Sequence, residues 1–166
     1  MRSRVCFWPV AKYDDASWHY GGDYPKGLAK KHGSTHIGFF LAWAFQRGMA
    51  GRLHAREATD DVAAVRAGKV TGAAFLRKNC DDKLTSDDLN ADGNAFARAR
   101  YTAYLKAYEK AVDPRGELES IYHAPDDTPT YRRVAKLLDQ LHEAWARDRT
   151  TRRRKVAKLP AKRPAR

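Results

Sequence analysis

The sequence has few cysteines and no long apolar run. It contains two cysteines, Cys6 and Cys80, whereas small secreted domains usually carry several disulfides. We therefore expect a reduced, cytoplasmic protein. The apolar run at residues 5–11 is short and contains a proline, unlike a signal peptide. The longest apolar run, residues 37–45, is about half the length that a membrane span needs, so we expect no membrane association.

The common motifs of enzyme active sites are also missing. No serine lies in a nucleophile elbow, and no glycine-rich loop is suited to hold phosphate. Cys80 lies near Lys78, which would lower the pKa of the thiol, but the aspartates that follow it act in the opposite direction. The five pairs of adjacent aspartates are typical of turns and helix starts. We expect no enzymatic activity and no cofactor.

No spacing of histidines or cysteines indicates a metal site. The chain has no CxxC motif. His32 and His36 are four residues apart, but Gly33 and an expected helix start lie between them, so they would not share a helix face. Other candidate ligands could converge only through the tertiary fold: His19, His54, Cys6 and Cys80. We expect no bound transition metal.

The stretch "SDDLNADGNAF" at residues 86–96 begins like a calcium-binding EF-hand loop. If Asp88 is position one, the twelfth position, which requires a bidentate glutamate, is Ala99. We therefore interpret the stretch as two successive helix starts. Asp87 and Asp88 would begin the first, and Asp92 or Asn94 would cap the second.

The positive charge is concentrated at the C-terminus. The formal net charge is +12, and residues 147–166 hold ten Lys or Arg and one acid, which gives 10 − 1 = +9. Residues 1–146 therefore carry only 12 − 9 = +3. We expect a single globular domain over residues 1–146 and a partly disordered basic tail over residues 147–166. Such a tail attracts phosphate non-specifically, and its candidate contacts are Arg152, Arg153, Arg154 and Lys155.

Hydrophobic periodicity predicts a mainly α fold. The segment "STHIGFFLAWAFQRGM" is apolar nearly all round, which is typical of a buried central helix. About four further helices are expected around it, with caps at Thr59, Thr71, Asp92 or Asn94, and Thr128. A turn of helix is expected near residues 15–19, and a short strand near residues 5–10. One or two short strands would make the fold α+β.

The N-terminal segment "YDDASWHYGGDYP" has the most unusual composition in the chain. Under one interpretation, its aromatic side chains hold an irregular segment over the core. Under the other, they form a recognition surface with acidic side chains that would favour a basic partner. The candidate partner-binding residues are Asp14, Asp15, Trp18, His19, Tyr20, Asp23 and Tyr24.

Three pieces of sequence carry a resemblance: "YDDASWHYGGDYPKGL", "THIGFFLAW" and "FLRKNCDDKLTSDDLNADGNAFARARY". Together they resemble an uncharacterised bacterial domain family of about 140 residues, from Tyr13 to Trp145. Small proteins of this family look like immunity proteins, encoded beside polymorphic or type VI secretion toxins. The resemblance implies a cognate toxin as partner and brings no catalytic residues. A homodimer is compatible with it, and nucleic-acid binding through the tail stays an alternative.

Overall fold

A computed structural model describes residues 9–157 of the chain, and within them the fold is mainly helical, as the sequence predicts. Two short strands form one antiparallel sheet, β1 (Lys12–Asp15) and β2 (Lys83–Thr85). The described residues also form six α-helices, and β2 lies between the fourth and the fifth. The helices are α1 (Thr35–Gln46), α2 (Arg52–Glu57), α3 (Thr59–Arg66), α4 (Gly72–Asn79), α5 (Ala91–Val112) and α6 (Thr128–Ala157). None of the helices in this part of the chain is long and apolar enough to span a membrane.

Helix α1 is the centre of the core, which confirms its predicted burial. Every residue from Thr35 to Phe45 is buried. Phe40 lies among aromatic rings of α5, with centroid distances of 4.9 Å to Tyr101 and 5.6 Å to Tyr104. Aromatic pairs at these separations add to the free energy gained by burying their area.

Two glycines let α1 and α4 touch backbone to backbone. A Cβ atom on Gly38 would lie 2.1 Å from the backbone nitrogen of Ala73, and one on Gly72 would lie 1.9 Å from the carbonyl oxygen of Gly38. No side chain can occupy either position without moving one helix. The absence of a Cβ atom at Gly38 and Gly72 therefore allows the two helices to approach this closely.

The predicted helix starts are partly correct. Thr71 caps α4, because its hydroxyl accepts the N–H of Ala74 at 3.1 Å. The cap predicted at Thr59 is wrong. Its hydroxyl donates to the carbonyl of Ala55, since α2 runs almost directly into α3 and supplies that acceptor. Helix α2 itself was not predicted.

The stretch at residues 86–96 does contain two helix starts. Thr85 and Asp88 form a capping box around a single 3-10 turn. Asn90 then caps α5 by accepting the N–H of Gly93 at 3.0 Å, so the caps predicted at Asp92 and Asn94 are wrong. Asp88 is buried, and its Oδ1 lies 2.7 Å from Nε2 of His54. Its Oδ2 accepts hydrogen bonds from the N–H and the hydroxyl of Thr85. The first position of the supposed calcium loop therefore faces the interior.

The sheet consists of two short strands that are far apart in the chain. Strand β1 pairs with β2 in the register Lys12 with Thr85, Asp14 with Leu84, and Asp15 with Lys83. The strand predicted near residues 5–10 lies mostly outside the described residues. Strand β2 was not predicted, because three residues are too few to show alternation. Its pairing fixes the direction in which the chain leaves β1.

Helix α6 continues beyond the predicted domain boundary at residue 146 and is described as far as Ala157. The N-cap of α6 is Asp127, and the cap predicted at Thr128 is wrong. Asp127 Oδ1 accepts the N–H of Thr130 at 2.8 Å. The side chain of Arg152 is exposed. The side chains of the other predicted tail contacts lie outside the described part of the chain.

Adjacent aspartates at the start of α6 should affect stability in opposite directions. Burial raises the pKa of Asp126 despite a hydrogen bond from Thr71, and Asp126 Oδ1 has no hydrogen-bond partner among the described residues. The ionised form of Asp126 therefore destabilises the fold, and stability is lost as the pH rises through its raised pKa. We expect Asp126→Asn to increase the free energy of unfolding at neutral pH, with the gain shrinking toward the ordinary aspartate pKa of about 3.9.

The neighbouring variant Asp127→Ala should instead cost about 1 kcal/mol through loss of the cap. Urea unfolding of both variants at neutral and acidic pH would check the pair. Equal effects of the two substitutions at neutral pH would contradict this assignment.

Candidate functional site

A buried aspartate lies at the centre of the N-terminal segment. Asp14 is 2% exposed and its carboxylate accepts four hydrogen bonds. Oδ1 binds Nε2 of His19 at 2.9 Å and the backbone N–H of Asp15 at 2.8 Å. Oδ2 binds Nε2 of His36 at 3.1 Å and the hydroxyl of Tyr101 at 2.8 Å. An ionised carboxylate only accepts, so both histidines donate through Nε2 in this arrangement.

Five separate elements bring these side chains together. Asp14 lies in β1, and Asp15, the last residue of that strand, caps the following 3-10 turn, Ala16–His19, by accepting the N–H of Ser17 at 3.0 Å. The turn folds the ring of His19 back toward the strand. The remaining members come from α1, α5 and the turn Ile121–His123. We call this group the Asp14 cluster: Asp14, His19, His36, Tyr101 and Tyr122.

The electrostatics of the cluster favour one buried negative charge. Burial alone would raise the pKa of Asp14, but hydrogen bonds from His19, His36 and Tyr101 outweigh it and hold the pKa well below its usual range. Burial lowers the pKa of His36, against the opposing effect of Asp14. Burial also raises the pKa of Tyr101 well above its ordinary value. At neutral pH the carboxylate is therefore ionised, while His36 and Tyr101 are neutral donors.

The structure divides the predicted partner-binding residues into two groups. Asp14 and Asp15 are buried and hold the segment in place. Trp18 is 60% exposed, and Asp23 is exposed as well. The other three are half-buried: His19, Tyr20 and Tyr24. Contact with a partner would therefore involve Trp18 and its surroundings, and the role of the whole set stays a prediction.

Aromatic contacts hold the exposed part of the segment. The Tyr24 ring lies 4.7 Å from that of Tyr122 and 5.5 Å from that of Tyr20. The hydroxyl of Tyr20 donates to the carbonyl of Lys30, and that of Tyr24 to the carbonyl of Ala29. The segment is irregular, yet its two ends are tied together. These contacts agree with the interpretation that aromatic side chains hold the segment over the core, and a recognition role for the exposed Trp18 stays a prediction.

The exposed charge of the segment differs from the sequence-based expectation. With Asp14 and Asp15 buried, Asp23 is the one exposed acid between residues 17 and 31. Three exposed cations lie in the same range: Lys26, Lys30 and Lys31. The basic partner expected from the acidic residues is therefore not favoured. The exposed surface suits an acidic partner better.

A second group of ionisable side chains lies beside Phe45, near the C-terminal end of α1. His54 Nε2 lies 2.7 Å from Asp88 Oδ1 and 3.6 Å from Cys80 Sγ. Burial, followed by the charge of Asp88, raises the pKa of the Cys80 thiol. Both partners of His54 approach the same ring nitrogen, so no relay runs from the carboxylate through the imidazole to the sulfur. This is the wrong arrangement for an activated nucleophile.

The groove between α5 and α6 is positively charged. Its lining includes four basic side chains and no acidic one: Lys106, Lys110, Arg133 and Lys136. None of the four forms an ion pair within 4.0 Å among the described residues. The sequence pattern indicates a basic surface in the tail and not in this groove, because the residues of the groove are spread over two helices.

Comparison with known proteins identifies a family and nothing closer. No curated protein and no solved structure matches the chain. The matching family model extends over residues 12–124, from β1 to the turn before α6. That range includes every member of the Asp14 cluster. The match covers more than half of the chain, so this protein belongs to the family described as a domain of unknown function, DUF7832.

Proposed function

We propose that the protein binds and neutralises a cognate bacterial toxin by stoichiometric occlusion, without catalysis, in the cytoplasm. The toxin as partner comes from the resemblance to immunity proteins, and the cytoplasm from the low cysteine content. A homodimer is compatible with this proposal. The structural observation that carries it is an exposed tryptophan on a segment that the fold holds in one conformation.

Trp18 has the properties of an interface anchor. Its side chain is 60% exposed, and Lys12 Nζ lies 5.4 Å from its ring centroid. It occupies the 3-10 turn between the capping residue Asp15 and the cluster residue His19. Tryptophan is enriched among residues that dominate binding energy. Because the turn is already ordered, little conformational entropy is lost on binding.

The charge around Trp18 restricts the surface of the partner. The exposed lysines of the segment would favour an acidic patch on the toxin, whereas Lys12 is paired with Asp15. The electrostatic attraction would mainly increase the association rate and would weaken as salt is added. A basic nuclease surface would not be complementary here.

The test is co-expression with the toxin encoded by the neighbouring gene. We expect the wild-type protein to restore growth and to co-purify with the toxin. Trp18→Ala should weaken the complex about 30-fold, which corresponds to about 2 kcal/mol for loss of an anchor residue. Leu53→Ala is the matched control, because Leu53 is 49% exposed but lies on α2.

Equal binding by the two variants would remove the N-terminal segment from the interface. Failure of the wild type either to rescue growth or to co-purify would overturn the proposed function itself.

A second candidate function, nucleic-acid binding, is favoured by the basic groove between α5 and α6. Helix α6 carries that charge onward toward the predicted tail contacts. Deletion of residues 150–166 should weaken binding to a DNA duplex if the tail acts, and the intact protein should show a steep salt dependence. A double variant, Lys106→Ala with Lys136→Ala, would test the groove separately. Absence of binding by the intact protein would exclude this function, and binding unchanged by both alterations would exclude these two surfaces.

A further inference from the structure

We propose that Asp14, His19 and His36 form a binding site for a divalent transition-metal ion, with Zn²⁺ as the favoured species. This inference goes beyond the proposed function and replaces the sequence-based expectation of no metal. It rests on the types of ligand, their separations, their supporting contacts and their access to solvent.

The three side chains are suitable zinc ligands at suitable separations. Two imidazole nitrogens and a carboxylate oxygen are a common zinc set. Their candidate ligand atoms all lie within 4.8 Å of one another. Each Nε2 is about 3 Å from an oxygen of Asp14, at 2.9 Å for His19 and 3.1 Å for His36. Tetrahedral zinc with bonds of about 2.0–2.1 Å would hold its ligand atoms roughly 3.3 Å apart, so small side-chain shifts would be enough.

Outer contacts orient the ligands as metal sites require. Nδ1 of His19 lies 3.2 Å from the hydroxyl of Tyr122. If Nε2 bound a metal, Nδ1 would carry the ring proton and would donate a hydrogen bond to that hydroxyl. The hydroxyl of Tyr101 and the backbone N–H of Asp15 already donate to the carboxylate of Asp14. These contacts fix both the ring of His19 and the plane of the carboxylate.

One side of the site is accessible. The side chain of His19 is 21% exposed, whereas those of His36 and Asp14 are 4% and 3% exposed. An ion can therefore approach past His19 without unfolding α1. Three protein ligands leave the fourth zinc position for water or for a group from a partner.

The His54 group makes a weaker site, although it also contains three potential ligands. Cys80 would have to bind as the thiolate, and burial, followed by the charge of Asp88, raises the pKa of its thiol. His54 is 3% exposed and packs against the rings of Phe45 and Phe75. We infer that this group stabilises the fold, and it serves as the control for the Asp14 cluster.

The test is calorimetric titration of ZnCl₂ into chelator-treated, full-length protein without a histidine tag. We expect one equivalent to bind. Because loss of an outer contact costs 10–100-fold in affinity, loss of the His19 ligand in His19→Ala should cost at least about 100-fold. Tyr122→Phe should weaken binding about 10–100-fold while leaving the fold intact. His32→Ala and Cys80→Ser should bind as the wild type does.

Zinc should also raise the melting temperature of the wild type but not of His19→Ala. Absence of saturable binding to the folded wild type would overturn the proposal. Binding that Cys80→Ser abolishes and His19→Ala leaves unchanged would also overturn it, by placing the metal in the His54 group.

Discussion

Asp14→Ala is expected to lower the free energy of unfolding by about 3–5 kcal/mol. The substitution removes the acceptor of four hydrogen bonds, and at least the donors on His36 and Tyr101 stay buried. Each buried donor left without a partner costs about 1–3 kcal/mol. For a domain of this size, the melting temperature should fall by roughly 10 °C or more.

The matched control for this substitution is Asp23→Ala. Asp23 belongs to the same segment but is exposed, and surface substitutions of this kind usually change stability by less than about 0.5 kcal/mol. Urea unfolding of the two variants against the wild type would give both differences. A loss below about 1 kcal/mol for Asp14→Ala would show that the cluster does not hold the N-terminal segment to the core.

Gly38→Ala should strongly destabilise the packing of α1 against α4. The new methyl group would lie 2.1 Å from a backbone nitrogen and 2.4 Å from a backbone carbon of Ala73. Backbone atoms cannot swing aside as a flexible side chain can, so α1 and α4 must separate. Overpacking typically costs 1–3 kcal/mol and occasionally more. We expect about 3 kcal/mol, after the better helix propensity of alanine has offset about 1 kcal/mol.

Gly21→Ala is the control for this second substitution. A Cβ atom at Gly21 would meet nothing within 4 Å, so we expect no measurable change in the denaturant midpoint. If both alanine variants unfold at the wild-type midpoint, the close approach of α1 to α4 is not a constraint on the fold.

Features encoded over a short stretch of sequence were predictable. The central helix α1 was recognised because apolar side chains surround it, and Thr71 because a threonine cap acts within three residues. The cap predicted at Thr59 is wrong because the hydroxyl of Thr59 donates to a carbonyl of α2 instead. That contact depends on how α2 ends. Strand β2 could not be recognised because its three residues pair with a strand about 70 residues earlier.

The Asp14 cluster was only half predictable. Asp14 and His19 were both candidates, but their burial was not foreseen, because Tyr101, 87 residues away, supplies one of the hydrogen bonds. The prediction of no metal site considered His36 only together with His32, as two ligands on one helix face. The ligands instead come from a strand, a turn and a helix.

Adjacent aspartates illustrate the same limit. The prediction that such pairs sit at turns and helix starts is confirmed at Asp87–Asp88 and at Asp126–Asp127. Which member of a pair is buried depends on the partner that the fold supplies. Asp88 meets His54, whereas Asp87 is exposed.

We propose that this protein acts by stoichiometric binding and not by turnover. The most direct measurement titrates a fixed concentration of the purified toxin from the neighbouring gene with increasing amounts of the protein. We predict that residual toxin activity falls linearly and reaches zero at a fixed, near-integral molar ratio, independent of incubation time. Complete inactivation by a small fraction of an equivalent, progressing with time, would show turnover and contradict the account, as would full toxin activity in the presence of excess protein.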